Sequence, residues 1–140
     1  MRVLGFDFGV KRIGVAVGQN LTGRASPLKP LPARDGIPDW NAVAQLVEEW
    51  QPDAFVVGLP LNMDGTESEM SRRARKFANR LHGRFGKPAH VMDERLSSFE
   101  AKGLAMEQTR ERDFGKFSVD GMAACLILES WMAHEGQNGS

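Results

Sequence analysis

The chain has a single cysteine, Cys125, so it forms no internal disulfide and offers no cysteine-based zinc site. Its three histidines, His82, His90 and His134, fall at no metal-ligand spacing. No apolar run reaches the length of a membrane span. Asp7 arrives too early for a secretory hydrophobic segment, which points to a cytoplasmic protein. There is no phosphate-binding P-loop, no internal repeat and no low-complexity tract. Net charge is also missing: 18 basic residues balance 18 acidic ones.

That balance hides a segregation. Between Asp35 and Glu69 there are eight acidic residues and no Lys or Arg. Between Met70 and Met92 there are seven basic residues and no acidic one. Charge divided in this way permits a local positive field on a neutral molecule. Arg72, Lys76, Arg80 and Arg84 recur every fourth residue, so on a helix they form a slowly turning stripe able to neutralise phosphates. A solvated helix face with no ligand is the plainer alternative.

With 140 residues, 41% of them hydrophobic, the chain is sized for one domain with a real core, expected over residues 1–135 with a disordered tail at 136–140. Arg2 to Phe8 reads as a buried strand, Gly9-Val10-Lys11 as a tight turn, and Arg12 to Gly18 as the second strand. A third strand is expected within Gly23 to Leu31, before the Pro30-Leu31-Pro32 breaker. Asp39 is suited to cap a helix to about Trp50, and Asp53 to Leu59 is a compact apolar strand. Thr66 with Glu69 has the capping-box pattern before a helix carrying Met70, Ala74, Phe77, Ala78, Leu81 and Phe85 on one side. Ala89 to Asp93 is a short strand. Ser97 with Glu100 opens another helix to about Gln108, a charged loop follows from Thr109 to Lys116, and Ser118 caps a last helix to about His134. The order predicts an α/β fold: a mixed five-stranded sheet with three antiparallel strands and helices on both faces.

Three carboxylates stand where an apolar core discourages them. Asp7 interrupts the first strand, Glu94 ends the strand from Ala89, and Asp120 sits in the first turn of the last helix. Buried carboxylates are costly alone and raise one another's pKa when clustered. A divalent cation relieves both penalties, and hard oxygen ligands favour Mg2+ or Mn2+ over zinc. Two such ions can drive in-line hydrolysis of a phosphodiester. Structural roles stay open for each acid: Asp120 at a helix N-terminus, Glu94 paired with Arg95, Asp7 bonded inside the core. Lys11 and Arg12, in the hairpin beside Asp7, and Arg95 are candidates to touch a scissile phosphate. Asn62 either bonds substrate or shapes its own turn.

The motifs make the pattern specific. Gly5-Phe6-Asp7-Phe8-Gly9-Val10-Lys11-Arg12-Ile13-Gly14-Val15-Ala16, Gly58-Leu59-Pro60-Leu61-Asn62-Met63-Asp64-Gly65, Asp93-Glu94-Arg95-Leu96-Ser97-Ser98 and Val119-Asp120-Gly121-Met122-Ala123-Ala124 occur in order across most of the chain. Together they resemble the YqgF family of pre-16S rRNA nucleases. The Ser97-Ser98 pair, and a segment before Asp120 poorer in lysine, depart from that family's usual pattern.

The resemblance implies a ribonuclease H-like fold related to Holliday junction resolvases, with Asp7, Glu94 and Asp120 as the catalytic and metal-binding acids. Asp93 is the alternative within its pair, because adjacent strand residues face opposite ways. It further implies action on the 5′ end of pre-16S rRNA, in a pre-ribosomal particle, by a monomer or homodimer that needs no membrane. Branched DNA is the alternative substrate, and a non-catalytic ribosome-assembly module the alternative class. An actin-like or sugar-kinase ATPase needs two domains closing on ATP, and this chain supplies one.

Overall fold

The computed structural model describes residues 1–62, 64–93 and 119–138. Six strands form one sheet in the order β4-β3-β2-β1-β5-β6. They are β1 (Arg2–Asp7), β2 (Arg12–Gln19), β3 (Arg24–Arg34), β4 (Ile37–Pro38), β5 (Ala54–Leu59) and β6 (Ala89–Asp93). Helix α1 spans Trp40–Trp50, α2 Glu69–Phe85 and α3 Val119–Asn138. Strands β1 to β4 form an antiparallel meander, whereas β1, β5 and β6 run parallel. Among the described residues, no helix is long and apolar enough to cross a membrane.

The mixed sheet with helices on both faces is as expected, but it has a sixth strand. Asp35 and Gly36 both have positive φ and close a two-residue hairpin between β3 and β4. Strand β3 also runs three residues past the expected stop at Leu31. Pro27, Pro30 and Pro32 are tolerated because, over most of its length, β3 has no neighbour on its outer side and needs no outward donor. The same prolines blunt that edge against pairing with another chain.

Residue alternation divides the interior into two layers. Leu4, Phe6, Val15, Phe55 and Val57 point to one face and bury against α1 and α2. Val3, Ala16, Ala54, Val56 and Met92 point to the other and bury against Ala124, Ile127, Leu128, Trp131 and Met132 of α3. Helix α1 is capped by Asp39, whose Oδ1 accepts from the Asn41 amide at 2.9 Å. The cap of α2 is Ser68 with Ser71, each side chain accepting the other's backbone N–H, and not the expected Thr66 and Glu69. Thr66 instead belongs to the preceding loop, where its hydroxyl donates to Asp64 at 2.7 Å. The helix and loop expected over Ser97 to Lys116 lie outside the described residues, as does the Ser118 cap.

Candidate active site at the carboxyl edge of the sheet

Strands β1, β5 and β6 are parallel, so their last residues, Asp7, Leu59 and Asp93, share one edge of the sheet. Asp7 follows the buried Phe6 and is itself half-buried. By alternation it lies on the face of Val3 and Gly5, the face covered by α3.

Gly5 fixes how close that helix comes. A Cβ on Gly5 would stand 2.9 Å from the Leu128 Cβ and 3.4 Å from the Ala124 carbonyl oxygen, so only glycine admits α3 at this distance. Leu128 and Met132 press on Gly18, which pairs with Val3 towards the start of β1. Helix α3 therefore runs opposite to β1. From Gly5 to Asp7 the strand rises about 6.6 Å. From Ala124 back to Asp120 the helix rises about 6 Å. The first turn of α3, which contains Asp120, is thus level with Asp7.

Asp93 is brought to the same edge but on the opposite face. Ala89 and Val91 pack with the layer under α1 and α2, while Met92 packs under α3. Asp93 takes the side of Ala89 and Val91, away from Asp7. Glu94 and Arg95 lie outside the described residues, and of Asp120 only the place in the helix is described. Among the described residues no three His, Cys, Asp or Glu side chains gather in one group.

The hairpin after Asp7 is tightly held. A Cβ on Gly9 would fall 2.3 Å from the Arg12 carbonyl oxygen, so the turn requires glycine. The Val10 and Lys11 carbonyls each accept at 2.9 Å, from the amides of Gly36 and Ala33, which ties this turn to the β3–β4 turn. Lys11 and Arg12 are exposed at its tip, and Arg12 shares the face of Gly14 and Ala16, hence that of Asp7. Asn62 is exposed in the loop after β5, at the same edge. Its Nδ2 donates to Thr66 Oγ1 at 3.0 Å, and its backbone bonds Gly65 and Thr66, so it shapes its turn.

The basic residues of α2, those of the stripe and those beside it, divide by partner. Arg84 lies over the Trp40 ring, 4.3 Å from its centroid. Arg73 pairs with Asp35 at 3.1 Å and Glu69 at 3.4 Å, and these carboxylates raise its pKa. Arg75 pairs with Glu67 at 2.7 Å. The Ser71 hydroxyl and then the Arg75 guanidinium, both donating to Glu67, hold its carboxyl below the ordinary range. Arg72, Lys76 and Arg80 are exposed and form no ion pair among the described residues. Lys76 and Arg80 line a recess beside Phe8, Phe77 and the Asp35–Gly36–Ile37 turn. This turn lies outside the site residues expected from sequence, although the Asp35-Gly36 pair is a hairpin signal. Cys125 is half-buried among the apolar residues of α3; burial first, and then the charge of Glu129, push its thiol up to about 12.

Comparison with known proteins extends the pattern. The RuvX family profile, described as Holliday junction resolvase, matches residues 1–134. A Chromohalobacter salexigens protein named as a pre-16S rRNA nuclease is 64% identical over 133 residues, which cover 95% of this chain and 90% of its own. An Azotobacter vinelandii protein of the same name is 60% identical over 131 residues, with 94% and 92% covered. Both agree with the YqgF resemblance. Among solved structures, Thermus thermophilus RuvC in complex with a Holliday junction substrate superposes with a TM-score of 0.63 at 16% identity, covering 99% of this chain and 96% of that one. The fowlpox virus Holliday junction resolvase gives 0.59 at 15%, covering 96% and 99%. At such identities the likeness is one of fold, and it agrees with the expected ribonuclease H-like architecture.

Proposed function

The chain belongs to the RuvX family, and from that premise we propose that it is a nuclease that hydrolyses phosphodiester bonds in precursor 16S rRNA, at the 5′ end, in the cytoplasm. The observation that carries this reading is the edge on which Asp7 ends β1, level with the first turn of α3. Relatives named for this activity, at 60% identity and above over nearly the whole chain, support the substrate.

Asp7, Glu94 and Asp120 are the residues that would hold Mg2+ or Mn2+, a choice that fits an all-carboxylate oxygen donor set. Such a cation supplies Lewis acidity at the phosphorus and lowers the pKa of water. Lys11 and Arg12, exposed beside Asp7, offset phosphate charge, with Arg95 as a third basic group. Arg72, Lys76 and Arg80 hold the flanking strand by its phosphates. Asn62 serves through the loop it closes.

A junction resolvase is the second reading, favoured by the description of the matching family profile. It needs a symmetric homodimer to cut two strands. The test is one assay: wild type and Asp7→Asn on labelled pre-16S rRNA and on a four-way DNA junction, with magnesium, manganese or EDTA. Wild type should cut the RNA only with metal. Asp7→Asn should fold normally and lose activity by about 10³-fold, the several kcal/mol that a charge-stabilising ligand contributes. Cutting by Asp7→Asn at the wild-type rate would remove the site. A preference for the junction would move the substrate to branched DNA.

A further inference from the structure

We propose that the recess between α2 and the β3–β4 turn is a subsite for one unpaired nucleotide, so that the substrate is taken single-stranded on that side of the cut. This rests on the nuclease reading above and specifies its substrate.

The recess has a volume of about 230 Å³ and opens beside Phe8, the residue after Asp7. Its walls divide by chemistry. Lys76 and Arg80 stand one helical turn apart on α2, about 6 Å along the axis. Neither is neutralised by an ion pair among the described residues, whereas Arg73 and Arg75 are. Asp35, the one carboxylate among the described rim residues, is engaged by Arg73 at 3.1 Å and offers little repulsion to an anion. Phe8 and Phe77 form an apolar floor, their rings 5.7 Å apart. Ile37 adds an aliphatic lip and is 53% exposed, so its side chain is available to a ligand.

Apolar floor and lip, with two cations at the rim that no described residue pairs, suit a base carrying its phosphates, the combination by which proteins hold single strands. A base inside a duplex stays stacked and paired and cannot enter such a recess; an unpaired base can. The position is also fixed. Hydrogen bonds from Gly36 and Ala33 to the Val10 and Lys11 carbonyls join the turn that walls the recess to the hairpin that follows Asp7.

Binding in EDTA tests this without turnover. Fluorescence anisotropy of a labelled single-stranded RNA and of the same sequence as a blunt duplex would be measured with wild type, Lys76→Gln/Arg80→Gln, Ile37→Ala and a remote control, Arg24→Gln/Lys29→Gln. The α2 double variant should lose about tenfold or more in single-strand affinity, and its salt slope should fall by about 1.4, the value for two lost phosphate contacts. Ile37→Ala should weaken the single strand by about threefold or more and leave the duplex unchanged. The remote control should bind as wild type does. Wild-type affinity in the α2 variant, equal losses in the remote control, or equal effects of Ile37→Ala on both nucleic acids would each overturn the subsite. The nuclease reading fails separately: a wild-type protein that binds RNA and cuts nothing with either metal would sink that reading, whatever the anisotropy shows.

Discussion

The two faces of the sheet are filled by opposite means. Under α1 and α2 the layer is aromatic: Phe6 meets Phe55 at 6.2 Å and Phe77 edge-on at 5.4 Å, and Phe55 also meets Phe85. Under α3 the described strands present no Phe or Trp: Gly5, Ala16, Gly18 and Ala54 stand among Val3, Val56 and Met92 and let α3 come close at Ala124 and Leu128. Bulky side chains bury the most area and hold helices at a distance. Small ones give up area and let a helix backbone approach. The face that gives up area is the one that carries Asp7 and sets the first turn of α3 beside it. Under the proposed function, most of the aromatic packing and the cleavage chemistry thus fall on different faces.

The division is tested most sharply at Asp93 and Glu94. If the chemistry belongs to the α3 face, Glu94→Gln should lower cleavage by about 10³-fold, as expected for a lost metal ligand. Asp93→Asn, on the aromatic face, should cleave nearly as wild type does. Single-turnover rates on the same RNA compare the two directly. Equal losses would break the assignment of chemistry to one face.

Next in size are substitutions within the two layers. Phe55→Ala should cost about 3–5 kcal/mol by urea denaturation, the usual result of emptying a large aromatic site. Its cleavage rate, where the protein remains folded, should stay near wild type. Gly5→Ala should cost less, about 1–3 kcal/mol, because the added methyl forces α3 away from β1. Its cleavage should nevertheless fall further than that of Phe55→Ala. Normal cleavage in Gly5→Ala would show that the close approach of α3 serves packing alone.

What was legible in the sequence follows from how local each signal is. The first strand, expected over Arg2 to Phe8 and observed over Arg2–Asp7, the α1 cap at Asp39 and the apolar spacing of α2 are decided by neighbours within a few residues, and all appear in the structure. Strand β4 has only two residues, and its partners Ala33 and Arg34 lie beyond a proline-rich stretch that reads as a breaker. An edge position decides whether proline breaks a strand, and no local window reveals which strand is at an edge. The α2 cap moved by two residues because Ser68 finds a further partner in the Pro60 carbonyl, at 2.8 Å. The basic residues of α2 were visible, but which of them are paired was not: Arg73, beside the stripe, is neutralised by Asp35, 38 residues away. The carboxylates were legible as residue types. That Asp93 lies on the face away from Asp7 needed the layers on both sides of β6.

The smallest effect expected concerns the start of α2, which ties the basic helix to the loop after β5. Glu67 accepts from the Ser71 hydroxyl and, at 2.7 and 3.2 Å, from the Arg75 guanidinium. These bonds favour the charged carboxylate, so its pKa in the folded protein is lowered. A lowered folded pKa stabilises above the ordinary carboxylate range, and that contribution disappears as pH falls through the lowered value. Glu67→Gln should therefore be slightly less stable than wild type at neutral pH, and the gap in urea midpoint should close in acid. The exposed position keeps the effect small. A gap that persisted unchanged into strong acid would mean that the charge of Glu67 is not what secures α2, leaving the Ser68–Ser71 cap and the Pro60 carbonyl to hold the helix start.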